Sequence, residues 1–181
     1  MQYIGGIDPG LNGALAVLDY QSHRLHVWDT PTFVVEVGGK KRKRCDELAF
    51  AEALDTYPIE LCMIEKVQST PNDGHVGAFT FGKVTGISIG LCVGLGITVD
   101  EVTPAKWKMA MQVPKDKEAA RYRASGFFPQ CADMWRRQMD DGRAEAAIIA
   151  LYASILNDAK PTQAFKPGLL NGVPFKAKKK K

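Results

Sequence analysis

Short apolar runs separated by turn residues dominate the start of the chain. Residues 3–8, 13–20 and 24–30 are rich in apolar or β-branched side chains, with Asp8-Pro9-Gly10 and Asn12-Gly13 as turn chemistry between the first two. The spacing predicts three strands joined as two antiparallel hairpins. Residues 33–37 are expected to extend the third strand, and Gly38-Gly39 with Lys40-Lys41-Arg42-Lys43-Arg44 to form a loop. Asp46 is a candidate N-cap for a helix over 47–57, with Leu48, Ala51 and Leu54 on one stripe and Pro58 ending it.

The pattern then changes. Leu-Cys-Met-Ile-Glu-Lys-Val at 61–67 is a short apolar run of the kind buried strands use. A polar loop over 68–77 precedes a glycine-containing helix over 79–95 and a strand over 98–102. Pro104 opens a helix over 105–111, and further helices are expected over 115–125 and 141–157. Hairpins first and βαβ crossovers later predict an α/β fold, a mixed five-stranded sheet flanked by helices. Residues 1–158 make one domain in this reading. Residues 159–181, rich in Pro, Gly and Lys, make a basic, flexible C-terminal tail.

Composition adds bounds. The chain has 181 residues, 45% hydrophobic and 24% charged, which suits one soluble domain with a sizeable core. The longest uncharged stretch, 84–99, has 16 residues and falls short of the ~20 of a membrane span. No secretory signal is expected, because the N-terminus runs straight into a strand. Four cysteines without a C-x-x-C pair give no zinc-type spacing and suit a reducing cytoplasm. The net charge is +4, but seven Lys and no acid lie in 160–181, so the remainder carries 17 basic and 20 acidic residues. Positive charge is therefore local, in the tail, in 40–44 and between Lys106 and Arg143, a distribution that fits a polyanionic partner.

The acids fall at element ends. Asp8 closes the first strand and Glu65 stands near the end of the fourth. Asp141 and Glu145 are four apart, on one face at the start of the last helix. If these ends converge, the carboxylates raise each other's pKa unless a cation intervenes. Hard ions such as Mg²⁺ take carboxylate and water oxygens, and two of them ~4 Å apart can clamp both oxygens of a phosphodiester displacement. Taken singly, Asp8 is also ordinary turn chemistry, Glu65 an exposed strand end, and Asp140 or Asp141 a helix cap. Gly82, Gly86, Gly90 and Gly94 form one helical stripe. At ~1 kcal/mol each relative to Ala, they imply a close approach, either to the helix's own sheet or to a second helix across a two-fold.

Taken in order, these residues resemble a known family. Gly-Ile-Asp-Pro-Gly at 6–10, Ile64-Glu65-Lys66-Val67, Phe81-Gly82-Lys83-Val84-Thr85-Gly86, Thr103-Pro104-Ala105-Lys106-Trp107-Lys108, Lys115-Asp116-Lys117-Glu118 and the acidic helix from Asp141 to Ala150 resemble RuvC-type Holliday junction resolvases, most nearly phage-like members, across residues 3–157. The resemblance implies a ribonuclease-H-like fold, a homodimer, Mg²⁺ with Mn²⁺ as a substitute, and paired symmetric nicks in four-way DNA junctions. It places Asp8, Glu65, Asp141 and Glu145 as catalytic metal ligands and Lys106, Lys108, Lys115 and Lys117 beside DNA. On charge alone, Lys40, Lys41, Arg42, Lys43 and Arg44 would reach outlying junction arms. The setting it implies is a bacterial or phage-infected cytoplasm.

Two departures stand out. The family usually carries an acid or His three residues before the last acid, where this chain has Gly142. Asp141 then substitutes by one helical step, with Asp140 in reserve. Gln68 stands where some relatives carry an aromatic wedge. A flap or fork nuclease of the same fold and a junction-binding protein without catalysis remain as alternatives. An actin-like ATPase shares Gly-Ile-Asp-x-Gly but needs a second related domain.

Overall fold

The structure, a computed structural model, describes residues 2–66, 74–114 and 117–157, the side chain of Lys117 excepted. Expectations for Gln68, Lys115, the Lys117 side chain and the tail at 159–181 lie outside the described residues.

Three strands, β1 (Tyr3–Asp8), β2 (Ala14–Asp19) and β3 (Arg24–Asp29), form the expected antiparallel meander. Strands β1 and β2 are buried on both faces, so both sides of the sheet are covered there, while β3 is only partly buried. A detached pair follows, β4 (Thr32–Val37) and β5 (Lys40–Cys45), then helix α1 (Glu47–Asp55) and strand β6 (Ile59–Glu65). Helix α2 (His75–Gly94) crosses over to β7 (Thr98–Val102). Helices α3 (Pro104–Ala110) and α4 (Lys117–Phe127), two 3₁₀ segments (Pro129–Trp135 and Gln138–Asp140) and helix α5 (Asp141–Leu156) complete the described chain. The main sheet has the order β3-β2-β1-β6-β7, with β1 parallel to β6 and β6 parallel to β7. This is the mixed five-stranded sheet that the order of elements predicts.

Two cores flank it. One holds Ile4, Met63, Trp107, Trp135 and the apolar face of α5; the other holds Ile7, Leu15, Ile64, Phe50, Val84 and Cys92 from the sheet, α1 and α2. Helix α5 comes unusually close to the sheet. Ala144, Ala146, Ala147, Ala150 and Ala153 are fully buried, and a Cβ built on Gly6 would run into the backbone of Ala146 and Ala150. Glycine at that point of β1 lets helix backbone rest on strand backbone.

Three expectations need correction. The basic run is a strand, not a loop: Gly38 (φ +60°) and Gly39 (φ +72°) make a two-residue hairpin turn, and Val37 pairs with Lys40. Residues 33–37 do not extend β3, because the chain turns at Thr30-Pro31 and Thr30 N–H donates to the Gly13 carbonyl at 2.9 Å. Charge hid the hairpin, since five consecutive basic residues carry no period-2 signal. In α1, Asp46 does cap by accepting from Ala49 N–H at 3.1 Å, but Leu48 is 72% exposed, and Phe50, Ala53 and Leu54 form the buried stripe.

The contact at Gly6 is testable against an unconstrained glycine. Gly6→Ala is expected to cost roughly 3 kcal/mol, as overpacking against backbone that cannot yield. Gly126→Ala, in α4 where an added methyl meets open space, is expected to add up to about 1 kcal/mol. Urea denaturation of the two variants reads both.

Candidate active site

The register of β1 and β6 sets the first two carboxylates side by side. Ile7 pairs with Ile64, so Asp8 and Glu65 stand one step further along two parallel neighbours. Gly6 and Asp8 share a strand face, as do Met63 and Glu65, so both acids point to the α5 side. The turn that carries Asp8 is tightly built. Gly13 N–H donates to the Gly10 carbonyl at 3.1 Å, a Cβ on Gly13 would strike the Asp8 carbonyl, and Gly10 takes φ +134° against the Phe81 ring.

Glu145 arrives from the second turn of α5. One carboxylate oxygen each of Asp8, Glu65 and Glu145 lies within 4.8 Å of the others. Two neighbours on α3 touch this group. Trp107 Nε1 donates to Glu65 Oε2 at 2.6 Å, and Lys108 Nζ donates to Glu145 Oε1 at 2.7 Å.

Burial and mutual repulsion make the cluster costly. Asp8 is held well above the usual carboxylate range, first by burial, then by the charges of Glu145 and Glu65, with Lys108 opposing. Glu65 is raised by burial, relieved by the Trp107 hydrogen bond and raised again by Glu145. Three ionised acids against one ammonium leave two negative charges uncompensated. An all-oxygen donor set with that excess suits a hard divalent cation.

Comparisons with known proteins agree with this architecture. No family model matches the chain. The chloroplastic Holliday junction resolvase MOC1 of Chlamydomonas reinhardtii is 29% identical over 157 residues, covering 75% of this chain and 18% of the relative. The chain therefore spans about a fifth of that protein's length. Thermus thermophilus RuvC in complex with Holliday junction substrate superposes with a TM-score of 0.55 at 16% identity, covering 88% of this chain and 97% of the other. A second Thermus thermophilus RuvC structure gives 0.51 at 18% identity, covering 84% and 96%.

The fold is RuvC-type.

Within this RuvC-type fold, the structure gathers three of the four expected ligands. Asp141 stands apart with Arg121, whose Nε lies 2.9 Å from Asp141 Oδ1. The contact is an ion pair without hydrogen-bond alignment, so both buried atoms have charge but no bond as partner. Its charge still reaches Asp8 as a minor repulsion. The reserve residue, Asp140, is 3% exposed and fully engaged by Arg137. It accepts from Arg137 Nη2 at 2.7 Å and from the Arg137 backbone N–H at 3.0 Å, which holds its carboxyl below the usual range. Asp140 thus secures the entry to α5 and does not join the cluster.

Gly142 explains the departure at this helix. A Cβ there would lie 2.8 Å from the Asn12 carbonyl oxygen and 2.9 Å from Asp8 Oδ2. The first turn of α5 presses on the β1–β2 turn, and a longer side chain at 142 would displace either Asp8 or the helix. Arg143, next to it, forks onto Asp29 at the end of β3, with Nε–Oδ1 2.6 Å and Nη2–Oδ2 2.5 Å.

The expected basic residues separate. Lys108 is part of the site, whereas Lys106 is exposed two positions away, where side chains of a helix do not share a face. Lys40, Lys41, Arg42, Lys43 and Arg44 are all exposed on β5, and Lys43 Nζ reaches Asn12 Oδ1 at 3.3 Å, beside the Asp8 turn. Trp107 was invisible as a site residue. It falls inside the Thr103–Lys108 stretch, where only the lysines drew a functional reading and core packing explains the Trp equally well.

The cluster makes a pH-dependent stability prediction. Asp8 binds its proton more tightly folded than unfolded, so in EDTA stability falls as pH rises from the ordinary carboxylate range through the raised Asp8 value. Asp8→Asn removes that penalty. At pH 8 in EDTA the variant is expected to melt roughly 4 °C above wild type, the equivalent of about 1 kcal/mol or more. Added Mn²⁺ should raise the melting temperature of wild type and leave Asp8→Asn nearly unmoved.

Proposed function

We propose that this chain is a divalent-metal-dependent, structure-selective endonuclease that resolves four-way DNA junctions by paired symmetric nicks. The observation that carries it is the Asp8–Glu65–Glu145 cluster at the end of a RuvC-type sheet, with Lys108 on Glu145. The curated relative is a Holliday junction resolvase, and one structural neighbour is bound to a Holliday junction substrate.

Asp8, Glu65 and Glu145 would hold the cation, with Asp141 as a more distant fourth acid. Bound there, Mg²⁺ or Mn²⁺ supplies the Lewis-acid charge that phosphodiester hydrolysis needs at the attacking water and the leaving oxygen. Lys108 offsets the Glu145 charge and would stabilise negative charge developing on a scissile phosphate bound at the cluster. Hydrolysis leaves 3′-hydroxyl and 5′-phosphate ends. The exposed cations of β5 supply sequence-independent phosphate contacts beside the site, with Lys106 contributing from α3.

Helix α2 supports a homodimer. Gly82, Gly86, Gly90 and Gly94 have nothing within 4 Å of an added Cβ, so the stripe does not serve packing on the helix's own sheet. Val76, Phe79 and Val93 are exposed on the same helix. An open, smooth, apolar helix face suits a second copy across a two-fold, which would set two sites on opposing strands of a junction.

Two experiments follow. A labelled immobile four-way junction and a linear duplex of equal length are incubated with the protein in Mg²⁺ or EDTA. Symmetric paired nicks are expected on the junction alone and in Mg²⁺ alone, with Asp8→Asn and Glu145→Gln slower by at least roughly 10²-fold. Tight junction binding without cutting would instead mean that the Asp141–Arg121 pair leaves the site a binding surface; preferential cutting of flaps or forks would mean the fold serves a different branch geometry. Separately, Gly90→Leu meets open space in one copy and a clash in a helix-paired dimer. It is expected to sediment as a folded monomer and to nick one strand of a junction at a time; sedimentation as a dimer would move the interface elsewhere.

A further inference from the structure

We propose that Trp107 is a positioning residue of the site: its buried indole N–H fixes the Glu65 carboxylate for cation binding. This deepens the metal-dependent reading above and rests on it.

Trp107 is fully buried in the core between the sheet and α5. A buried indole N–H needs an acceptor. The core's other buried tryptophan, Trp135, finds a neutral one, donating to Ser125 Oγ at 2.9 Å. Trp107 donates instead to a charged oxygen, Glu65 Oε2, at 2.6 Å, within the short range of charge-assisted bonds. The terminal torsion of a glutamate is otherwise broad, and Glu65 is the last residue of its strand. The indole engages one oxygen of the carboxylate and so restrains the plane of a group whose oxygens approach Asp8 and Glu145.

The next residue extends the same arrangement. Lys108 Nζ lies 5.1 Å from the centroid of the Trp107 ring while it donates to Glu145. One Trp-Lys step on α3 therefore restrains two acids that come from β6 and α5. Hydrogen-bond partners that orient a metal ligand change metal affinity typically 10–100-fold when lost, without touching the ion.

The test removes the N–H and little else. Trp107→Phe keeps an aromatic filler; site-specific replacement of Trp107 by β-(3-benzothienyl)alanine keeps the bicyclic shape and substitutes sulfur for N–H. Mn²⁺ affinity is read by electron paramagnetic resonance titration of the full chain, with circular dichroism confirming the fold. Junction cleavage is read separately across a Mn²⁺ series. Both variants are expected to bind Mn²⁺ roughly 10-fold or more weakly. The half-saturating Mn²⁺ for cleavage should rise in step, the rate at saturating Mn²⁺ should recover to within a few-fold of wild type, and junction affinity in EDTA should not change. Wild-type Mn²⁺ affinity in the benzothienyl variant would overturn the role, as would a wild-type protein that binds no Mn²⁺. Weakened Mn²⁺ binding together with a wild-type protein that cuts no branched DNA would sustain the role of Trp107 and remove the proposed activity.

Discussion

The site exists because helix α5 can lie directly on strand β1. At Gly6 no side chain separates them: the position of its missing Cβ is taken by the backbone of Ala146 and Ala150. Two residues further along the same strand face comes Asp8, and one residue before Ala146 comes Glu145. The close approach of strand and helix therefore brings these two acids together. A larger residue at 6 would lift the helix and widen the distance between the carboxylates. Gly142 applies the same constraint one turn earlier, against the Asp8 turn itself. Alanine along the buried face of α5 completes the arrangement, because longer side chains would hold the helix off the sheet.

Convergence has an electrostatic cost, and the surrounding residues are arranged around it. Lys108 balances Glu145, Trp107 hydrogen-bonds Glu65, and Asp8 carries the largest share of the strain, since burial and both neighbours disfavour its charge. The other acids around the α5 entry each pair with an arginine. Asp140 belongs to Arg137, Asp141 to Arg121, and Asp29 to Arg143. Negative charge is thus left uncompensated at one place only among the described residues of this region. Buried like charges gathered at one point cost local stability, which is the pattern expected where function rather than folding selects the residues.

The surfaces around the site divide by chemistry. On β5 the exposed side chains are cations, tied to the Asp8 turn through Lys43 and Asn12. On α2 the exposed stripe is glycine, flanked by apolar residues. The two faces are chemically distinct, one charged and the other smooth and apolar, as the proposed DNA contacts and the proposed pairing of two copies would each require.

Much of this was legible in the chain itself. Strands β1, β2, β3 and β7 follow from alternating or apolar runs bounded by turn residues, and the change from hairpins to crossovers determined the mixed sheet. Asp8 and Glu65 were legible because an acid that closes an apolar strand breaks the pattern, and Glu145 because it leads an alanine-rich helix. The hairpin of β4 and β5 was not, since five consecutive cations erase the period-2 signal and only pairing with residues 32–37 makes them a strand. Which face of α2 the glycines occupy, which cation neutralises Asp141, and where the Trp107 N–H points are also absent from local pattern. Each depends on a partner distant in sequence. Local periodicity specifies elements and the ends where acids stand; only packing decides which side chains meet, because burial, ion pairing and backbone approach belong to pairs of elements and not to either alone.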